Sequence, residues 1–428
     1  MSEAQKESQN IFIQKIDNAI RFLIYVLIFS LPYSIAILEI CVVLATLLWL
    51  AKRAILVKAK EILWNQFLNP PSSVLNKPIG FFLLACLLSV FLSVSPKISW
   101  MGFFFKTLEW FVIYFLILDV FKSTKHLWIA LGLFVFTSFI TSIDSIIQFH
   151  ITGKDLLLGR EIPVSFYRAT AAFKHANLLG AYLTIFIPFC FLLFFISTKL
   201  RFKLLRSLIF IFSVWALIIA YSRGAWLAVI FSFCVIPFLF LWLKFFIKKS
   251  FVVLIAFVVI IPVLVKVSFF LERYKAPTTG VSDNSVPWRL ERSKEALEMF
   301  KERPVFGYGL NTFMRSYEKY QDVYKTAATR VFPTYVHNCY LQILIETGVL
   351  GFGTFLWILY VFINYVLNQI KIQYKKNIFF SALSMGLLLG IFAFLAHSFV
   401  DTHFYSVQIS NYLWVHIGLL MVLVRQSE

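Results

Sequence analysis

YVHNCYLQILIETGVLGFGTFLWILYVFINYVLN, Tyr335 to Asn368, changes character part-way along. From Thr347 onward it is almost entirely apolar. A helical run of about 20 such residues is long enough to cross a bilayer. The turns before it carry His337, Asn338, Gln342 and Glu346. If these are helical too, Asn338, Gln342 and Glu346 recur at i, i+4 and i+8 and form one polar stripe. Hydrocarbon cannot satisfy such a stripe, so it must face protein or water. The stretch predicts a membrane helix with a polar mouth and with His337 at the aqueous rim.

The rest of the chain agrees. Of 428 residues, 60% are hydrophobic and only 14% charged, and the mean hydropathy is +0.82. A soluble protein carries roughly 25% charged residues. Apolar runs appear at about 17–33, 35–51, 78–95, 101–121, 126–147, 176–197, 206–222, 224–245, 250–268, 347–368, 377–398 and 408–424. Judged against the length of a span, they predict twelve transmembrane helices. Tight links are expected at Leu31-Pro32-Tyr33 and at Ser222-Arg223-Gly224. No alternating pattern suggests a barrel. The fold class is an all-α polytopic integral membrane protein. Spans 1–9 fall in residues 1–268, a periplasmic helical segment in 269–336, and spans 10–12 in 337–428, as one integrated membrane domain. The polar N-terminal stretch is not a cleavable signal, because more spans follow it instead of a small-residue cleavage site. The five cysteines lie in or beside apolar runs without metal-like spacing and read as small core residues.

The formal charge is +19, and its distribution points to membrane topology, not to nucleic acid. Lys52, Arg53, Lys58 and Lys60, then Lys122 and Lys125, then Lys199 to Arg206, Lys244 to Lys249, and Lys371 to Lys376 fall in alternate connections. Connections enriched in this way are cytoplasmic. Both termini are then inside. Three places on the other face break the pattern: Arg168 with Lys174, the lone Arg223, and the long segment from about 269 to 336. Long loops translocate regardless of charge, which covers the last of these. It does not cover Arg223, whose loop is a few residues long. Binding of an anion at the outer face is the simplest use for such cations.

Within the long segment, SVPWRLERSKEALEMF reads as an amphipathic helix, with Ser285 as N-cap and Pro287 in the first turn. Trp288, Leu297 and Phe300 are expected to share its apolar side. Pro304 and Gly307-Tyr308-Gly309 end it, and a second helix is expected from Asn311 to about Lys325. The pair reads either as a lid over the membrane or as a structural hairpin with a solvated face.

A neutral imidazole can take a proton from a hydroxyl near neutral pH. Guanidinium groups grip a diphosphate and stabilise the charge that develops as it leaves. Histidine and arginines at an outer membrane surface therefore suit transfer of a group from a lipid-linked diphosphate to a hydroxyl. There is no HExxH, no Asp-x-Asp pair and no clustered Cys/His set, so no metal is called for and no metal ligand or cofactor is assigned. The absence of a P-loop or GxGxxG argues against nucleotide chemistry. Asp144 and Gln148 share a face of the fifth span as candidate cavity residues.

These residues carry a resemblance. SRGAWLA (222–228), RLERSKEALEMFKERPVFGYGLNTF (289–313) and HNCYLQILIETGVLGF (337–352) look like the signature of the O-antigen ligase and polymerase superfamily. RATAAFKHANLLGAYL (168–183) and AHSFVDTHF (396–404) resemble that family's flanking segments. The resemblance implies an inverting, metal-independent glycosyltransferase. Its donor is a glycan on undecaprenyl diphosphate, and its acceptor in ligases is the sugar core of lipid A. By motif, Arg223 and Arg289 would bind the diphosphate, with Arg168 a further candidate, and His337 would activate the acceptor hydroxyl. Arg292 would replace Arg289 if the motif register slips by a turn. Asn338 and Glu346 are supporting candidates, with Glu346 either tuning the histidine region or pairing with an arginine. Glu346 is not taken as the base, because it lies about 13 Å from His337 along a helix. His397 and Asp401, at i and i+4, form either an orienting pair or a structural helix-end bond.

Other functions share these features. A polymerase would extend the lipid-linked glycan, and a protein O-oligosaccharyltransferase would use a protein hydroxyl. A transporter or flippase of lipid-linked glycan would also suit twelve spans, but transporters show related halves and broken helices that meet at the midplane. Here the polar groups gather at one face.

Overall fold

The computed structural model describes residues 3–59, 61–162, 168–196, 200–242, 285–321 and 335–425. Regular structure in them is helical, and the β-type pairing is one isolated bridge, Lys154 with Glu161. The helices are α1 (Glu3–Ser30), α2 (Ile35–Lys58), α3 (Asn76–Phe91), α4 (Pro96–Gly102), α5 (Leu108–Val120), α6 (Thr124–Ile147), α7 (Ala176–Ile196), α8 (Leu200–Ile219) and α9 (Arg223–Trp242). After them come α10 (Ser285–Glu302), α11 (Phe313–Gln321), α12 (Cys339–Lys376), α13 (Ile378–His397) and α14 (Val407–Arg425). A π-helical turn at Phe103–Thr107 joins α4 to α5, and another at Gln148–Thr152 extends α6.

Eight helical segments are long and apolar enough to cross a membrane, among the described residues. The sequence predicts twelve spans. The run expected at 250–268 lies outside the described residues. α3 is apolar but short, α9 is counted only over Arg223–Leu239, and α1 carries Lys15, Asp17 and Arg21 in its middle. The chain is a multi-pass membrane protein.

Burial separates centre from rim. α14 is buried at every position from Gln408 to Val424, whereas α2 exposes Ile37, Ile40, Val43, Leu44 and Leu47. Lipid tails are as apolar as leucine, so the outer helices need no apolar partner, and the inner ones are held by close packing. Four of the five cysteines are buried.

The helix predicted from Ser285 forms as α10. Its buried face differs from the expected one. Arg292, Glu295, Ala296 and Met299 are buried, and Leu297 is exposed. Trp288's side chain lies outside the described residues. The reason is the partner: α10 packs on α11, whose Phe313 and Tyr317 meet Ala296 and Met299. That face recurs at three- and four-residue spacing, as helix packing requires. The second helix is shorter than expected at its start, and residues 322–325 of the expected helix lie outside the described residues.

The opening stretch folds as a kinked helix. Gly348 leaves helical geometry at φ 64, a conformation open to glycine and costly for other residues. A Cβ there would meet the Val305 carbonyl oxygen at 2.1 Å. The 304–309 strap takes up groups that the kink releases. Tyr308 N donates to Ile345 O at 3.0 Å, Gly309 N to Glu346 O at 2.9 Å, and Val349 N to Pro304 O at 2.8 Å. The α10–α11 unit is thereby locked to the mouth of α12.

Candidate active site

Chain direction brings several helix ends together. α7, α9 and α12 begin, and α8 and α13 finish, at one end of the bundle. Ala169 N bonds Ile219 O at 3.1 Å, and Cys339 N bonds Ser398 O at 2.9 Å. Cys339 Sγ also reaches Asp401 O at 3.1 Å. A Cβ on Gly224 would meet Val400 Cγ2 at 2.6 Å and His397 Nε2 at 3.0 Å. Glycine at that position lets the start of α9, with Arg223 as its first residue, touch the 397–403 turn.

His337 precedes α12, and Asn338 is the helix N-cap, accepting from Leu341 N at 3.0 Å. His337 has φ 57, which is uncommon for a residue with a side chain and is stored where the surroundings enforce it. Its ring is 23% exposed, and Nδ1 lies 3.3 Å from Asp401 Oδ1. Asp401 Oδ1 also accepts from Thr402 N at 2.8 Å, and Oδ2 accepts from Asn177 Nδ2 at 2.8 Å. Asn177 Oδ1 accepts from Arg168 Nη2 at 2.6 Å, and Arg168 Nε donates to Ala220 O at 2.9 Å. Burial opposes charge on Asp401. The hydrogen bond from His337 and the neighbouring histidines outweigh it and hold its carboxyl well below the usual range. Burial, with Arg289 and His337 nearby, pushes the His403 imidazole down, only partly offset by Asp401.

Arg289 joins from α10, donating from Nη1 to Val400 O at 2.8 Å. One end of the bundle therefore carries Arg168, Asn177, Arg223, Arg289, His337 and Asp401 on or against a single turn. Asn177 and His403 were not singled out from the sequence. A polar residue at a helix start was the only signal for Asn177, and nothing in spacing tied it to residue 401.

Three expectations are corrected. His397 does not pair with Asp401. Its Nδ1 meets His403 Nε2 at 2.9 Å, because α13 ends at His397 and the chain turns, carrying Asp401 toward His337. Arg292 is not a stand-in for Arg289. It is 1% exposed, bonds Glu295 at 2.8 Å and also bonds Tyr317, because it faces α11. Glu346 is fully buried and serves the strap. Its carboxylate accepts from Asn311 N at 2.7 Å, Phe313 N at 3.3 Å and Tyr405 Oη at 2.9 Å. It neither lines the histidine nor is bonded to an arginine in these contacts. Asp144 and Gln148 likewise hold backbone. Asp144 accepts from Leu156 N, and Gln148 accepts from Thr170 N and Ala171 N.

The side chains of His397, Asp401 and His403 place ligand atoms within 4.8 Å of one another, a donor set of the kind zinc accepts. Each already has a use in this arrangement, since the two imidazoles bond each other and both oxygens of Asp401 accept hydrogen bonds. Beside this cluster the site presents the His337 imidazole, bonded to Asp401, with guanidinium groups on the same turn.

Fold and site together define a multi-pass helical membrane protein with an imidazole–carboxylate pair and arginines at one end of its bundle. Residues 208–356 match the family described as O-antigen ligase, and this match supports the resemblance of that stretch to the O-antigen ligase and polymerase superfamily, whose members are glycosyltransferase-like membrane enzymes. The match contains Arg223, Arg289 and His337, while Arg168, Asn177 and the 397–403 turn lie beyond it. No curated protein matches the chain.

Proposed function

We propose that the protein is an O-antigen ligase-like glycosyltransferase, moving a glycan from undecaprenyl diphosphate to a hydroxyl of lipid A–core. The observation that carries this reading is the His337–Asp401 contact at 3.3 Å, set beside three arginines. With Nδ1–H donating to Asp401, Nε2 is the ring's acceptor. It takes the proton of the acceptor hydroxyl as that oxygen attacks the anomeric carbon. The bond from that carbon to the diphosphate oxygen breaks on the opposite face, so configuration inverts. Undecaprenyl diphosphate leaves with the electron pair, and Arg223, Arg289 and Arg168 stabilise the charge. Asp401 stabilises the imidazolium, as a carboxylate does in hydrolytic triads. This chemistry uses no metal.

The site lies in the periplasm, the termini in the cytoplasm, and the membrane is a bacterial inner membrane. Support comes from charge at the opposite helix ends, where α2 ends near Lys52 and Arg53 and α12 ends on Lys375 and Lys376. The α10–α11 unit and the spans act as one membrane domain.

The test is a transfer assay with purified protein, labelled glycan on undecaprenyl diphosphate and chelator, with and without lipid A–core. Label on lipid A–core supports ligation. Growth of the lipid-linked glycan alone makes the protein a polymerase. Label on neither, with donor still bound, overturns both and points to a protein acceptor or to transport.

A further inference from the structure

We propose that Asn177 is a positioning residue: its amide bridges Arg168 and Asp401 and so holds the carboxylate that orients His337. The inference rests on the proposed role of His337 as base. It joins two parts of the site that the proposed function treats separately, the anion-binding arginines and the base.

The geometry is specific to an amide. Asn177 presents its oxygen to a guanidinium, at 2.6 Å from Arg168 Nη2, and its nitrogen to a carboxylate, at 2.8 Å from Asp401 Oδ2. An amide supplies an acceptor and a donor in one plane, whereas a carboxylate accepts only. The two partners also fix which way the amide faces. Asn177 is the second residue of α7, and the first turn of that helix is closed by Leu178 N donating to His175 O at 3.0 Å. The side chain therefore stands on a rigid element, while the residue that it holds, Asp401, sits in a turn. Asp401 needs holding on both oxygens, because His337 and Thr402 share Oδ1. With Oδ2 unbonded, the carboxylate can rotate away from the imidazole.

Asp401 is bonded to His337, and His403 is electrostatically coupled to it. On the same turn His397 bonds His403, and Arg289 of α10 bonds Val400 O. Arg223 opens α9 where Gly224 packs on His397 and Val400, and Asn177 links Asp401 to Arg168. Replacing the amide by a carboxylate of the same shape removes the donor to Oδ2 and places a second anion beside Asp401. Proton affinity around His337 then rises.

The experiment uses full-length protein in lipid nanodiscs. The His337 ring is followed by nitrogen NMR on histidine-labelled protein, with the resonance assigned from His337→Gln. In Asn177→Asp, the His337 titration and the acid limb of kcat should both move to higher pH, by about one unit. In Asn177→Ala, kcat should fall roughly ten- to a hundredfold, as for other residues that orient a functional ligand, with donor KM within about twofold. An unmoved titration in Asn177→Asp overturns the inference, as does an Asn177→Ala variant that loses only donor affinity or thermal stability. The NMR arm does not depend on turnover. If His337→Ala keeps transferring glycan while Asn177→Asp still moves the titration, the base reading falls and the positioning contact stands.

Discussion

The two ends of the bundle bury charge in different ways. At the end where α2 and α5 finish, Lys52 Nζ lies 2.7 Å from both Asp17 and Asp119, and Arg21 donates to Val120 O at 2.9 Å. Lys52 and its two carboxylates stand on helices and neutralise one another. At the other end, His337 and Asp401 stand on connections, in a turn where His337 has left-handed backbone. The arginines around them bond carbonyls and an amide. Helix-borne, mutually paired charge fastens α1, α2 and α5 together. Charge carried on connections and held in place by a rigid frame is how folds commonly present chemistry.

The largest test of this contrast is His337→Ala. Loss of a general base should cost about 10²–10⁴ in kcat, with donor binding retained by equilibrium measurement. Full transfer by this variant would remove the base from the mechanism. At the other end, Lys52→Met should lower stability by roughly 3–5 kcal/mol, because two carboxylates lose their partner in a dry site. Denaturation in detergent measures the loss, and turnover per folded molecule should be unchanged. A drop in kcat at equal folding would blur the two ends.

The same contrast occurs within one helix. Arg289→Ala should raise donor KM about tenfold, whereas Arg292→Ala should act on stability by stranding Glu295, which is 4% exposed. Donor titrations and melting curves of the two variants separate these effects, and equal effects on both would undo the distinction.

The smallest expected effect is on pH. His403 has its proton affinity lowered by burial in the folded state. Its contribution to stability is complete above the unfolded value of about 6.5 and declines as pH falls toward the lowered folded value. Asp401 is shifted down, so its contribution is present above the unfolded value of about 3.9 and is lost only in stronger acid. An acid limb of activity set by the imidazole should therefore move to lower pH in Asp401→Asn, because the imidazolium loses its carboxylate. An unmoved limb, or one displaced to higher pH, would overturn the pairing.

Much of the arrangement was legible in the chain. Runs of apolar residues announced the helices, because spanning a bilayer demands length and hydrophobicity that sequence displays directly. Pro304, Gly307 and Gly309 marked the end of α10, whereas Asn338, expected inside the helix as part of a polar stripe, is the N-cap that precedes it. The motif segments around Arg223, Arg289 and His337 indicated the family. Arg289 and Arg292 looked interchangeable, because both belong to the same amphipathic pattern and differ only in what α10 meets. His397 looked like the partner of Asp401 on helical spacing, which stops applying where α13 ends.

By itself the sequence determined the membrane class, most of the helices, and which residue types gather at one set of connections. These follow from local composition and from constraints that act along the chain. The tertiary structure decided the partners: Asp401 with His337, Asn177 between Asp401 and Arg168, and Glu346 with the strap. Those contacts span 64, 224 and 35 residues in the chain. Helical periodicity reaches only a few residues, so contacts this distant are settled by how helix ends pack.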